Sequence, residues 1–382
     1  MEWFFEHPLF VIFVGMIGAC VGSYLNVVIY RVPRGMRTSD PKRSFCPTCR
    51  KDIPWYRNIP VITWLVQRGK CAECGCPIAF RYCFVEVLTG ALFVAAYLAF
   101  DSPATALLMF ALIFILVAIG FIDGELMIIP VNFCWVGMGI GLVGSVLASE
   151  LVLLPEPAQP IPSWDGLMRA GIGLVLGWGL LAGVVRLGKM LFGERKMNFE
   201  DARDWYLREP ESDEEELCFV IQVDKKGGGT EDEHIGWSDL FFRATDRLEI
   251  TGHGILLDGE ASEATELVIR ADRVEMNGET HMIEEMVSLS GKAKKVLIPR
   301  EAMGAGDPPL MGMIGAFIGW QGVIFTLFAS CVYAIISALL GRIGFGRALP
   351  FGPFLALGCL TWAFGGWKLW EAYFAFVQSV GK

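Results

Sequence analysis

Two aspartates and two cysteine pairs carry most of the chemistry legible in this chain. Asp307 stands at the head of a long apolar run, in the stretch REAMGAGDPPLMGMIGAFIGW (300–320), directly behind Gly304 and Gly306. Asp123 closes another apolar run, in FIDGELMIIP (121–130). A carboxylate at the mouth of a membrane segment is costly to keep, which marks it as a functional candidate. Glycines before Asp307 would let another backbone come close. Two carboxylates held near each other cannot both ionise cheaply, so they share a proton and can act as base and acid. Such a pair could activate water for peptide hydrolysis with neither a metal nor a covalent intermediate. Blander readings stand beside this one. Asp307 could be a helix N-cap with Pro308 at the first helical position, and the two aspartates could be solvated separately at an interface.

The second motif pairs Cys46-Pro-Thr-Cys49 with Cys71-Ala-Glu-Cys74. Two knuckles at this spacing can supply Cys46, Cys49, Cys71 and Cys74 as thiolates to a tetrahedral, structural Zn²⁺. The metal would give folding energy to a polar segment with little apolar surface to bury. Cys76 is a fifth thiol close by, and a redox pair or unligated thiols are the alternatives. The other cysteines (Cys20, Cys83, Cys134, Cys218, Cys331 and Cys359) read as small apolar fillers. Other proteolytic chemistries are poorly supplied. Of four histidines, His7 is near one terminus, and His234, His253 and His281 share one hydrophilic stretch, away from any membrane serine or cysteine. HMIEE at His281 lacks the second histidine of a zinc-protease helix.

The elements that must position these residues are membrane helices. The 382 residues are 54% hydrophobic with twelve tryptophans, outside the range of soluble domains. Several runs reach the roughly 20 apolar residues that cross a bilayer. The pattern predicts an all-α polytopic membrane protein with about eight spans: 8–30, 83–100, 105–122, 131–148, 166–192, a sixth from Asp307 turning near Trp320–Gln321, a seventh returning to about 340, and 354–376. The first reads as a retained helix and not a removed signal peptide. Residues 31–81 carry eleven Lys/Arg against Asp40, Asp52 and Glu73, which places this Cys-rich segment in the cytoplasm. The connection 150–165 carries Glu150, Glu156 and Asp165 and no basic residue, and fits the outer face. Arg186, Lys189, Arg195 and Lys196, then Arg342 and Arg347, mark returns to the inner face. This topology puts Asp123 and Asp307 at one depth on the cytoplasmic side. Few other ionisable groups lie there: Glu86, Glu125 and Glu301. Glycines at 137, 141, 173, 177, 179, 183, 315 and 319 read as close helix packing.

Between 198 and 299, 25 acidic residues face 11 basic ones, a net of −14 that leaves +5 on the rest of the chain. Long apolar runs vanish at the same point, which marks an inserted hydrophilic domain. Residues 200–208 have helical composition and 209–216 form an acidic stretch. Runs at 217–223, 248–257, 267–276 and 287–298 then read as strands between turn residues, giving a β-rich cytoplasmic module. Its charge could attract a basic peptide, and plain solvation is the other reading. The chain thus divides into a first helix (1–30), a Cys-rich segment (31–82), helices two to five (83–197), the acidic insert (198–299), and the final motif with helices six to eight (300–382).

In shared order these segments resemble the type IV prepilin peptidases. The resemblance rests on GSYLNVVIYRVP (22–33), the double Cys-x-x-Cys, NIPVITWLVQRGKC (58–71), RYCFVEVLTG (81–90), FIDGELMIIP, REAMGAGD and LPFGPFLALG (349–358). It implies a membrane aspartic protease of the GxGD type, with Asp123 and Asp307 as the catalytic pair behind Gly304 and Gly306. Such enzymes cut the basic leader from type IV prepilin or pseudopilin precursors at the cytoplasmic face of the bacterial inner membrane. Many members with the cysteine segment also methylate the new N-terminus from S-adenosylmethionine. The implied partners are those precursors and the lipid bilayer, with no nucleic acid. Three departures stand out. Val131-Asn132 replace a usual second aspartate, Pro308-Pro309 replace residues that include a lysine, and the insert replaces a short loop. Those changes leave a noncatalytic assembly factor as the alternative. A proton-coupled transporter would also use membrane aspartates but gives no reason for the cysteine segment.

Overall fold

The computed structural model describes residues 8–156, 162–192, 195–208, 217–224, 230–241, 246–298, 304, 306–341 and 349–380. The chain divides into two compact units, Met1–Gly183 with Gly304–Lys382, and Val184–Met303.

The first unit is helical. α1 (Pro8–Arg31) is followed by the cysteine segment, which contains the short α2 (Ile62–Val66). Then come α3 (Phe80–Ala99), α4 (Pro103–Leu126), α5 (Val131–Leu147), the four-residue α6 (Glu150–Leu153) and α7 (Trp164–Phe192). After the insert, α8 covers Asp307–Leu340, α9 Gly352–Thr361 and α10 Trp367–Val380. Among the described residues five helical stretches are long and apolar enough to cross a membrane: Pro8–Arg34, Phe80–Ala99, Pro103–Leu126, Trp164–Gly188 and Asp307–Leu340. α5 is apolar but only 17 residues long.

Local chemistry sets the ends. Ser102 caps α4, its hydroxyl accepting from the Thr105 amide while Pro103 fills the first turn, where no N–H partner is needed. At the other end Met127 takes a left-handed conformation and returns its N–H to the Asp123 carbonyl. α1 and α3 pack through small residues: a side chain on Gly22 would meet the Glu86 Cα at 2.7 Å, so only glycine allows this approach.

Two predicted boundaries shift. The turn expected near Trp320–Gln321 lies at Gly319, whose φ of 70° and ψ of −179° break α8 into two helical arms. A side chain there would also press on the Val152 carbonyl at 2.8 Å. The run at 354–376 is helical but interrupted. A π-helical turn at Trp362–Gly366 holds Gly365 at φ 118°, and no residue of the following α10 is buried. The connection 150–165 begins as structure and not as loop, because Leu151, Val152 and Leu153 are apolar and buried in α6. Residues 157–161 within it, Glu301, Arg342, Arg347 and the acidic stretch 209–216 lie outside the described residues.

The second unit is one antiparallel sheet. Its strands are β1 (Arg195–Arg208), β2 (Cys218–Asp224), β3 (Thr230–Gly236), β4 (Leu248–Leu257), β5 (Glu260–Ser262), β6 (Glu266–Ile269), β7 (Arg273–Met276), β8 (Glu279–Met282) and β9 (Leu289–Ile298). They run in the order β3-β2-β1-β9-β4-β6-β7-β8, with β5 on β4. The helical reading of 200–208 is wrong. These residues belong to β1, which pairs with β2 on one side and β9 on the other. Burial of Trp205 in the sheet's core with Phe219, Ile250 and Leu289 outweighs the weak helical preference of the polar residues around it.

Candidate functional site

Asp123 is on the last turn of α4 and Asp307 on the first turn of α8, and they are 5% and 4% exposed. Neither is a surface residue. The N-cap of α8 is Gly306, whose carbonyl accepts the Leu310 amide at 3.2 Å, while the Asp307 amide donates to Gly304 at 3.2 Å. Asp307 is therefore already inside the helix, and the expectation of a plain N-cap aspartate fails by one residue.

Helix directions place the starts of α5 and α8 together. α5 and α8 lie side by side: a Cβ on Gly137 would collide with Met313, and one on Gly141 would sit 3.0 Å from the Ala316 Cβ. Advancing along one helix advances along the other, so they run the same way and start at the same level. The turn that leads from Asp123 into α5 closes on the start of α8. There a side chain on Gly306 would meet the Ile129 Cβ at 2.6 Å. The glycine immediately before Asp307 thus leaves room for the Ile129 side chain. Cys134, buried one turn into α5, is within electrostatic reach of Asp307.

A third element joins this corner. The Gly352 amide at the start of α9 donates to Asp123 Oδ2 at 2.8 Å. Gly352 lies in the family-like segment LPFGPFLALG, where the sequence alone assigns it no role. Its signal was that motif alone, since a backbone donor leaves no mark in side-chain chemistry. Arg81, at the head of α3, pairs with Glu125 at 2.8 Å, tying the N-terminal helices to the turn after Asp123. Val131 and Asn132 begin α5, and Pro308 and Pro309 are both buried in the first turn of α8.

The cysteines form a separate site. Each Cys-x-x-Cys bends a short hairpin: the Cys46 amide donates to Lys51 and the Arg50 amide to Cys46, and in parallel Cys71 donates to Cys76 and Gly75 to Cys71. Arg50 and Gly75 take the same left-handed conformation. Sulfurs of Cys46, Cys71, Cys74 and Cys76 all lie within 4.8 Å of one another. Pairwise separations of 3.9 Å (Cys46–Cys74), 3.6 Å (Cys46–Cys76) and 3.2 Å (Cys74–Cys76) are near the roughly 3.8 Å spacing of four sulfurs around one tetrahedral Zn²⁺. The group can hold a metal ion. Cys76 takes part where the Cys-x-x-Cys pattern alone points to Cys49, and Cys49 lies against Cys46 and Cys74 as a fifth thiol. The Cys49 amide, pointing at the Cys46 sulfur, lowers that thiol from its ordinary value of 9.0 to about 6 despite its burial. Beside the cluster, Glu73 bridges Lys51 at 3.1 Å and Arg57 at 2.9 Å.

Two family models match the sequence: the bacterial peptidase A24 N-terminal domain over residues 16–100, and the type IV leader peptidase family over residues 282–339. The first contains the cysteine cluster and the second contains Asp307. The chain is similar to the prepilin leader peptidase/N-methyltransferase of Myxococcus xanthus, 43% identical over 168 residues, which is 44% of this chain and 47% of the relative. It is 32% identical over 224 residues to the protein of the same name from Dichelobacter nodosus (51% and 73%), and 32% identical over 199 residues to that from Klebsiella pneumoniae (50% and 79%). The match thus spans about half the length of the Myxococcus protein and about three quarters of the other two. No solved structure matches.

Proposed function

The chain belongs to the type IV leader peptidase family, and from that premise we propose that it is a membrane aspartic endopeptidase acting on prepilin-like precursors, with methylation of the new N-terminus as a second activity. One observation carries the peptidase reading. The loop that follows α4 packs on the start of α8, where a Cβ on Gly306 would fall 2.6 Å from Ile129, and a buried aspartate stands before this loop on α4 and directly after Gly306 on α8. Asp123 and Asp307 are the catalytic pair in this reading, and Gly304 and Gly306 allow the approach.

The chemistry follows from the shared proton. The ionised carboxyl takes a proton from water as the water oxygen bonds to the scissile carbonyl carbon. The protonated partner donates to the carbonyl oxygen, and the proton then passes to the leaving amine as the C–N bond breaks. The Gly352 N–H holds Asp123 in place, so its side chain need not be ordered at the moment of reaction. Burial keeps bulk water from competing with the one reacting molecule.

The topology in this reading has eight crossings, with the arms of α8 on either side of Gly319 counted separately. Both aspartates and the cysteine segment then face the cytoplasm, in the bacterial inner membrane. The excess of basic residues between 31 and 81 supports that orientation. The cysteine cluster would hold a structural Zn²⁺ through thiolates, with Cys46 already inclined to give up its proton. S-Adenosylmethionine would be the methyl donor, and the relatives' two-part name supports the methylation reading.

The test is to incubate purified protein with a pilin-like precursor and to weigh and sequence the mature product. Clipping at the end of the basic leader is expected, and its abolition by Asp123→Ala and by Asp307→Ala. A wild-type protein that leaves every such precursor intact would favour the noncatalytic assembly factor instead.

A further inference from the structure

A cavity of about 340 Å³ opens between α1, the cysteine hairpins and the start of α3. Every residue lining it falls between 23 and 86, inside the part of the chain that matches the N-terminal domain, with neither aspartate of the pair among them. The residues lining it include Tyr30, Trp64 and Tyr82, with Glu86 and Asn26 among the polar ones.

Two buried side chains define its chemistry. Glu86, 9% exposed, accepts from the Val61 amide at 2.7 Å and from the Ser23 hydroxyl, which leaves acceptor capacity on its carboxyl group. Asn26, 6% exposed, donates through Nδ2 to the Tyr82 carbonyl at 3.0 Å, while no described group donates to its Oδ1. A buried acceptor without a donor costs roughly 1–3 kcal/mol, a cost that a ligand N–H would remove.

The cations nearby are engaged elsewhere. Arg31 spends its guanidinium on the carbonyls of Thr38, Pro41 and Arg43, and Lys51 and Arg57 are held by Glu73. Val61, which presents its amide to Glu86, sits at φ 62°, a strained conformation for a β-branched residue.

We propose that this cavity receives a primary ammonium group, the newly exposed N-terminus of a cleaved substrate, with Glu86 and Asn26 Oδ1 as its acceptors and Glu86 as the base that frees it for methylation. The inference rests on the methylation reading given above. In the step, the ammonium gives one proton to the Glu86 carboxylate, and the amine lone pair forms the new N–C bond. The sulfonium co-substrate's S–C bond breaks with its electron pair staying on sulfur, which leaves a neutral thioether. The methylated nitrogen remains protonated, and the proton on Glu86 passes to solvent, so one proton is released per turnover.

The experiment uses the full-length protein in detergent, a short peptide carrying the mature N-terminus, its N-acetylated form, and S-adenosylhomocysteine as a probe of the donor site. Wild-type protein is expected to bind the free-amine peptide at least about tenfold more tightly than the acetylated one. Glu86→Gln should erase that preference and the methylated fraction together, Glu86→Asp should restore part of both, and S-adenosylhomocysteine binding to Glu86→Gln checks that the cavity is still formed. Equal wild-type affinity for the two peptides, or unchanged methylation by Glu86→Gln, overturns the assignment. If the wild type discriminates the amine through Glu86 yet transfers no methyl group, the cavity assignment stands and the methylation reading falls. Should Glu86→Gln fail to fold, the wild-type comparison of free and acetylated peptide decides by itself.

Discussion

The backbone amide of Gly352 donates a 2.8 Å hydrogen bond to Oδ2 of Asp123, joining the start of α9 to the end of α4. A side chain at 352 would place its Cβ 2.7 Å from that same oxygen, so only glycine can offer its amide this closely. Gly352→Ala should displace the carboxyl group while leaving the helices packed. We expect cleavage to fall by about 10- to 100-fold with little change in thermal stability, read from initial rates on a precursor beside a melting curve. Normal activity in this variant would show that the contact does not orient Asp123.

If the two aspartates work as a unit, their losses will not add. Asp123→Asn and Asp307→Asn should each lower the cleavage rate by at least about 10²- to 10⁴-fold, and the double variant should be no worse than the weaker single one. Single-turnover assays on detergent-solubilised protein measure this directly. Multiplying defects would point to independent roles.

The metal site can be titrated. Because the Cys46 thiol is lowered to about 6 in the folded protein, its thiolate form contributes stability above the ordinary thiol range, and that contribution is lost as pH falls through about 6. Because bound metal holds the thiolates against protonation, zinc should stay bound at about pH 6 and be released only on acidification below that value, as followed by a colorimetric zinc indicator. Metal analysis should find one equivalent in the unmodified chain and none after Cys46→Ser or Cys71→Ser. Cys76→Ser should lose metal at least as severely as Cys49→Ser, since Cys76 is in the tight group of four.

Close packing of α7 on α8 rests on glycine against glycine. A Cβ on Gly315 would collide with the Gly173 carbonyl oxygen, and one on Gly173 with that of Gly315. Gly315→Val should therefore destabilise the helical unit by about 1–3 kcal/mol or more and lower its melting temperature in detergent. An unchanged melting curve would mean the helices can separate at no cost.

In the second unit, Trp205→Ala removes the largest side chain of the sheet's core and should cost about 3–5 kcal/mol. Denaturation followed by the remaining tryptophan fluorescence and by far-ultraviolet dichroism tests it. A small loss would mean that Trp205 does not anchor β1 in the sheet's core.

How much of this was legible beforehand depended on whether a feature is written in side chains. Hydropathy located the long helices, and charge asymmetry located the insert. β4 was read to the residue because Leu248–Leu257 is bounded by turn residues and rich in β-branched and aliphatic side chains. Asp123 and Asp307 stood out because carboxylates are rare beside apolar runs. What escaped was carried by backbone and context. β1 looked helical because its polar composition hides one core tryptophan, and the Gly352 donor is a peptide group. Cys76 was visible as a fifth thiol, but its place among the sulfurs depends on the left-handed residue before it, Gly75. The break in α8 falls one residue before the expected Trp320–Gln321, at Gly319, the residue free to adopt a positive φ.

β1 and β9, the first and last strands of the insert, are neighbours in the sheet, and Arg195 pairs with Ile298. Chain enters and leaves the domain through adjacent rungs, only about 5 Å apart. The two feet of the insert therefore stay together however many residues lie between them. Such a domain can lengthen or shorten without the ends of its two flanking segments having to be held further apart.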